Sequence, residues 1–345
     1  MTTSGLRISR IQPMLAPAIL EEDIPLSESR EAAVEKHRRA VEAILDGRDS
    51  RWLAIVGPCS IHDPTAALDY AQRLKGLADE LAERVLIIMR VYFEKPRTVI
   101  GWKGLINDPD LDGSYRINHG LRLARQLLAD VTDIGLGAGT EFLDTTLGQF
   151  FADLVSWGAI GARTAESQVH RELASGLSMP VGIKNRTDGN IQVAIDAIQC
   201  ARSRHLFPSL TREGAPAILE TTGNPSCHLV LRGGTESGPN YHSDAIENAR
   251  AKLDIAKLPQ TIMVDCSHGN SEKRPENQTN VIDSLIAQRR AGNNSIRAVM
   301  LESHLIGGRQ DLGDKELTYG QSVTDACLGL KETHAVLRRM ADNVR

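Results

Sequence analysis

The chain has 345 residues, 24% of them charged and 41% hydrophobic, with a formal net charge of −4. That length suits one large α/β domain without a second core, and the acidic balance argues against a nucleic-acid-coating protein, which carries a basic excess or tract. No stretch approaches the roughly 18 to 20 apolar residues that span a bilayer, and "MTTSGLRISRIQPMLAPAIL" lacks a charged start followed by a long apolar core, so a soluble cytoplasmic protein is expected.

Residues 1–50 read as an N-terminal extension, an oligomer or regulatory arm with an amphipathic helix near "SREAAVEKHRRAVEAILDG". From 51 to 345 short β-branched runs alternate with amphipathic segments, the pattern of parallel strands joined by crossover helices. The runs are "WLAIVG" (52–57), "VLIIMRV" (85–91), "GAGTEFL" (137–143), "AIGAR" (159–163), "PVGIKN" (180–185), "HLVLRG" (228–233), "TIMVDC" (261–266) and "IRAVMLES" (296–303). Asp63 as N-cap with Pro64 in the first turn opens one helix, and "GQFFADLVSWG" and "SQVHRELASGL" carry apolar residues at helical spacing. Between the fifth and sixth units, residues 205–222 read as an inserted β-hairpin. Eight strand-helix units predict a (β/α)8 barrel.

Catalytic groups in such barrels lie at the carboxyl ends of the strands. Reading the eight ends gives Cys59, Arg90, Glu141, Arg163, Lys184, Arg232, His268 and Glu302. Arg90, Lys95, Arg97, Arg163, Lys184 and Arg232 would share one face. Any one of them is as readily a solvated charge or half of an ion pair. Together they imply more than one bound phosphate or carboxylate, since clustered like charges need an anion to neutralise them. No GxxxxGK[ST] or GxGxxG motif follows a strand, which disfavours a nucleotide.

Five cysteines, Cys59, Cys200, Cys227, Cys266 and Cys327, include no CxxC pair and do not read as a disulfide framework. Cys59, His268, Glu302 and Asp325 form a mixed soft and hard ligand set suited to Mn, Fe, Co or Zn. Cys266 is a rival ligand, and Cys327 and His304 are weaker ones; Cys59 could equally be a small buried residue.

The strings "GPCSIHDP", "MRVYFEKPRTVIGWKGLINDP", "WGAIGART", "ESQVHRE", "PVGIKN", "HLVLRGG", "VDCSHGNS" and "SVTDAC" closely resemble the type I, α-subgroup 3-deoxy-D-arabino-heptulosonate 7-phosphate (DAHP) synthases. The resemblance implies condensation of phosphoenolpyruvate with erythrose 4-phosphate in the first step of the shikimate pathway, with one divalent metal. It makes Cys59, His268, Glu302 and Asp325 the metal ligands. Arg90, Lys95, Arg163, Lys184 and Arg232 would hold phosphoenolpyruvate; Pro96, Arg97 and Thr98 would meet erythrose 4-phosphate. Lys184 and Glu141 would activate a water. Cys59 is then a thiolate ligand rather than a nucleophile.

The resemblance also implies a homodimer or homotetramer, and feedback inhibition by an aromatic amino acid at Gly148, Gln149, Ser178, Phe207 and Ser209. Phenylalanine- and tyrosine-sensitive members commonly carry proline where Gly148 stands, and Gly5 replaces an acidic residue of the arm, so tryptophan is the favoured effector. Arg186 in "KNRTDG" replaces a family glycine, which would either strain the loop or add a cation. Competing readings are the sibling synthase that uses arabinose 5-phosphate, a metal-dependent aldolase without phosphoenolpyruvate, and a non-catalytic barrel retained as a binding partner.

Overall fold

Successive residues of a strand face opposite sides, and in β1 (Trp52–Gly57) both sides are buried and apolar. Leu53 and Ile55 belong to an inner cluster with Ile88, Trp157, Ala159, Val230, Met263, Ala298 and Met300, whereas Trp52, Ala54 and Val56 pack with the surrounding helices. That double burial is why the runs read as continuous apolar strings rather than alternating ones.

The computed structural model describes residues 3–313 and 316–344. The remaining barrel strands are β2 (Val85–Arg90), β3 (Gly137–Glu141), β4 (Trp157–Ile160) and β5 (Val181–Lys184). After the hairpin of β6 (Leu206–Leu210) and β7 (Pro216–Glu220) come β8 (His228–Leu231), β9 (Ile262–Asp265) and β10 (Ile296–Glu302). Barrel neighbours follow chain order, and β10 closes on β1 with Leu53 opposite Ala298. The expected (β/α)8 barrel with its inserted hairpin is therefore present. The fourth strand begins two residues before the predicted run, at Trp157 rather than Ala159.

In the N-terminal extension lie α1 (Pro17–Asp23) and α2 (Glu28–Leu45). Val41, Ile44 and Leu45 of α2 join the inner cluster and close one end of the barrel. Burying each such side chain stabilises by roughly 1.5–3 kcal/mol. Ahead of α1, Leu6, Ile8 and Ile11 are 76%, 62% and 85% exposed, so this stretch lies outside the core. No helix among the described residues is long and apolar enough to cross a membrane.

Outside the barrel wall are α3 (Pro64–Glu80), α4 (Ile117–Asp133), α5 (Gln168–Gly176), α6 (Gln192–Ala201), α7 (Ser243–Ile255), α8 (Asn277–Arg290) and α9 (Leu330–Ala341). Asp63 caps α3 as expected, its Oδ1 accepting from the backbone N–H groups of Thr65 and Ala66. The helix predicted at "GQFFADLVSWG" does not form; two tight 3₁₀ turns, Leu147–Phe150 and Ala152–Leu154, stand there. Arginines bond the carbonyls of these turns: Arg38 donates to Val155 and to Ala152, whose carbonyl also accepts from the Val155 N–H, and Arg125 donates to Phe150. The loop after β10 carries a small sheet the sequence reading did not anticipate, β11 (Ile306–Arg309) with β12 (Gln321–Ser322).

Candidate active site

Arg90, Glu141, Lys184 and Glu302 are the last residues of β2, β3, β5 and β10, and Cys59, Arg163, Arg232 and His268 follow their strands by one to three residues. A cavity of about 860 Å³ opens at this end, lined by Glu141, Lys184, His268, Glu302, Asp325, Lys95, Pro96, Arg97, Thr98, Arg163 and Arg232. Thr187, Thr235, Ser271, Lys273 and Arg309 also line it and were not singled out from sequence. Of its cations, Lys95, Arg97, Arg163, Arg232 and Lys273 form no salt bridge among the described residues. Burial, to which the neighbouring Arg163 charge adds, lowers the pKa of Arg232. Such a bed of like charge is favourable only with anions in it.

Arg90 stands apart. It is fully buried, donates toward the Pro58 and Cys59 carbonyls, and pairs with Glu302 at 3.2 Å. Its guanidinium carbon lies 3.9 Å from the centre of the Tyr92 ring. In this arrangement it meets the cavity through Glu302.

Ligand atoms of Cys59, Glu302 and Asp325 lie within 4.8 Å of one another. Asp325 reaches this point because Cys327 pairs with Gly308 and Leu328 donates to the Glu302 carbonyl, laying the returning chain beside the end of β10. His268 Nε2 is 3.8 Å from Glu302 Oε1. The φ of His268 is 55°, a left-handed backbone uncommon for a side chain of this size, of the kind that clusters at functional sites.

Two of the rivals lie elsewhere, and the third borders the site without joining the ligand group. Cys266 packs in the outer apolar cluster, and His304 sits edge-on to His62 and Tyr70. The Cys327 thiol, fully buried, contacts the Asp325 carbonyl at 3.6 Å.

Burial and the charge of Glu302 push the Cys59 thiol up to about 11. Burial also works against the charged form of Asp325, but His268, Lys95 and Lys273 outweigh it and hold the carboxyl below its usual range. A thiol and two carboxylates at this spacing fit a divalent ion, whose charge would favour the thiolate that burial disfavours. His268 would complete the set. The donor mixture suits a borderline transition ion rather than Mg or Ca.

Three further buried acids complete the electrostatics. Asp265, absent from the sequence reading, accepts from Lys184 Nζ at 2.8 Å. Its burial opposes charge, yet Lys184 and His268 hold its carboxyl well below the usual range. Glu141 lies against Gly161, where an added Cβ would stand 2.2 Å from its Oε1. Burial raises nearby Glu94 to about 7.

The question raised by Arg186 resolves into neither strain nor a free cation. It is absent from the left-handed positions, and its guanidinium bonds Glu166 at 2.7 Å and Asp188 at 2.8 Å. It thereby ties the loop after β4 to the loop after β5.

A second cavity, about 520 Å³, lies between α1, α2, the 3₁₀ turns and α5. Gly148, Gln149 and Ser178 line it together with Glu21, Glu31, Arg38 and Arg212. Phe207 and Ser209 are on β6, and the hairpin reaches this cavity at Arg212 in its turn.

The model of the DAHP synthetase I family matches residues 24–338. The Phe-sensitive phospho-2-dehydro-3-deoxyheptonate aldolase of Escherichia coli K12 is 52% identical over 341 residues, covering 99% of this chain and 97% of its own. The Trp-sensitive enzyme of the same organism is 51% identical over 343 residues, covering 99% and 98%. The solved structure of the phospho-2-dehydro-3-deoxyheptonate aldolase of Francisella tularensis SCHU S4 superposes with a TM-score of 0.96 at 51% identity, covering 98% of each chain.

Proposed function

The chain belongs to the DAHP synthetase I family, and on that premise we propose that the larger cavity condenses phosphoenolpyruvate with erythrose 4-phosphate and water. The products are DAHP and inorganic phosphate, in the first step of the shikimate pathway to aromatic amino acids. The observation that supports this most is the meeting of Cys59, Glu302 and Asp325 at the edge of a cavity rich in uncompensated cations.

Lys95, Arg163, Lys184 and Arg232 bind the phosphate and carboxylate of phosphoenolpyruvate, with Arg90 bracing Glu302 beneath. Arg97 and Thr98, on a loop stiffened by Pro96, take the phosphate of the aldose. Held this way, C3 of phosphoenolpyruvate faces the aldehyde carbon, and orientation of the two reactants supplies much of the acceleration. Cys59, His268, Glu302 and Asp325 would hold the divalent ion, which when bound supplies Lewis acidity toward the aldehyde oxygen. As the new C–C bond forms, C2 gains positive character and a water adds there. Glu141 takes the water's proton, and Lys184 donates its hydrogen bonds to the phosphate oxygens. The hemiketal phosphate then breaks its C2–O bond: phosphate leaves with the electron pair and takes up the C2 hydroxyl proton as the ketone forms, and the proton held by Glu141 neutralises the alkoxide left from the aldehyde.

Turnover is tested by phosphate release on mixing the two substrates with added metal. Wild type is expected to turn over and to lose activity on chelation, while Cys59→Ala folds normally and shows no metal-dependent rate. Full activity of Cys59→Ala under strict metal removal overturns the metal assignment. Use of arabinose 5-phosphate in place of erythrose 4-phosphate would instead favour the sibling reaction.

The second cavity is the site of the aromatic effector, and tryptophan is its ligand in this chain. An added Cβ at Gly148 would already stand 3.2 Å from Phe142. That ring is buried in the core and does not line the cavity, so the choice of tryptophan rests on glycine standing where phenylalanine- and tyrosine-sensitive relatives of the family carry proline.

A further inference from the structure

The end of β9 places one carboxylate between the two halves of the site. Asp265 is fully buried. Its Oδ2 accepts from Lys184 Nζ at 2.8 Å and lies 3.1 Å from His268 Nδ1. Its Oδ1 accepts from Ser267 Oγ at 2.6 Å and from the Ser267 backbone N–H at 3.1 Å. Ser267 Oγ in turn lies 2.7 Å from His268 Nδ1.

These contacts determine which nitrogen of His268 carries hydrogen. An ionised carboxylate accepts and never donates, so the single hydroxyl hydrogen of Ser267 goes to Asp265. Only lone pairs of Ser267 are then left for His268, and Nδ1 must be the N–H. Both neighbours of Nδ1, Ser267 Oγ and Asp265 Oδ2, are acceptors toward it. In the neutral ring Nε2 therefore keeps its lone pair, and Nε2 is the atom on the Glu302 side of the ring. A ring nitrogen binds a metal only through such a lone pair.

We propose that Asp265 is a positioning residue shared by the metal and phosphoenolpyruvate halves of the site: it sets the tautomer of His268 for the metal, and the same carboxylate anchors the Lys184 ammonium on the phosphoenolpyruvate side. This rests on the metal and substrate reading above. The consequence is that one substitution disturbs metal affinity and phosphoenolpyruvate affinity together, although Asp265 touches neither ligand. A residue that merely fills space would change stability alone.

The test uses the full-length protein, stripped of metal and titrated with Co(II). Wild type is expected to develop a thiolate-to-cobalt charge-transfer band; a wild type that binds Co(II) without it would overturn the Cys59 assignment rather than this inference. Asp265→Asn is expected to bind Co(II) about 10- to 100-fold more weakly, with an altered ligand-field spectrum and a raised KM for phosphoenolpyruvate at saturating metal. A folded Asp265→Asn with wild-type Co(II) affinity, spectrum and KM overturns the proposal. If that variant fails to fold, ¹⁵N-histidine NMR of the metal-free wild type decides: a neutral His268 protonated at Nδ1 supports it, and one protonated at Nε2 overturns it.

Discussion

At the scale of single residues, the site depends on close approaches that leave no spare volume. Gly161 is the clearest case: it has an ordinary backbone, and only the far end of the Glu141 side chain stands in the way of a Cβ. Gly161→Ala should therefore fold with a nearly unchanged thermal midpoint while displacing the carboxylate by an ångström or more. Misplacement of that size costs on the order of 100-fold in rate, so kcat should fall by about that factor; an unchanged kcat would remove Glu141 from the reaction.

Which residues could be read from sequence follows from the same geometry. Glu141, Lys184 and Glu302 end their strands, so the rule that barrel chemistry sits at carboxyl ends finds them directly. Applied to β9, that rule gives Asp265, but the reading passed on to His268, the residue with the more familiar ligand chemistry. Lys273 comes from a loop and Arg309 from the end of the short strand β11, and no periodicity encodes the path of either. Arg90 shows the converse, a strand end that faces inward to Glu302 and Tyr92 rather than the open cavity.

At the scale of elements, helices and strands were legible where burial follows one period, and less so where long-range partners decide. Nothing local in "GQFFADLVSWG" announces that Arg38 and Arg125 will take up its carbonyls and permit 3₁₀ turns in place of a helix. The sheet of β11 and β12 was equally hidden, since its strands are short and 11 residues separate them. Yet this sheet and the neighbouring Gly308–Cys327 pairing carry Asp325 back to Glu302.

The second cavity is likewise a product of assembly, because α1, α2, the 3₁₀ turns and α5 each supply part of its wall. Its polar lining joins Glu21 and Glu31 with Arg38 and Arg212; Arg212 pairs with Glu21 at 3.4 Å, so a bound amino acid would exchange that ion pair for contacts of its own ammonium and carboxylate. Steady-state rates measured with each aromatic amino acid should show inhibition by tryptophan. Inhibition by phenylalanine alone would reject tryptophan as the effector.

At the scale of the whole molecule, the barrel was legible because eight buried strands impose eight apolar runs at regular intervals. Its closure by α2 was not, since an amphipathic helix does not state which surface it will cover; Val41, Ile44 and Leu45 cover the inner cluster from one end. With that end shut, the other alone gathers Glu302 at the end of β10 and the loops that hold Cys59, His268 and Asp325. The most direct measurement is a crystal structure with Mn(II) and phosphoenolpyruvate, using anomalous scattering to locate the ion. The expected peak lies about 2.0 to 2.5 Å from Cys59 Sγ, His268 Nε2 and carboxylate oxygens of Glu302 and Asp325, with phosphoenolpyruvate on Arg163, Lys184 and Arg232. An ion bound elsewhere, or one that leaves the Cys59 sulfur unligated, would contradict it.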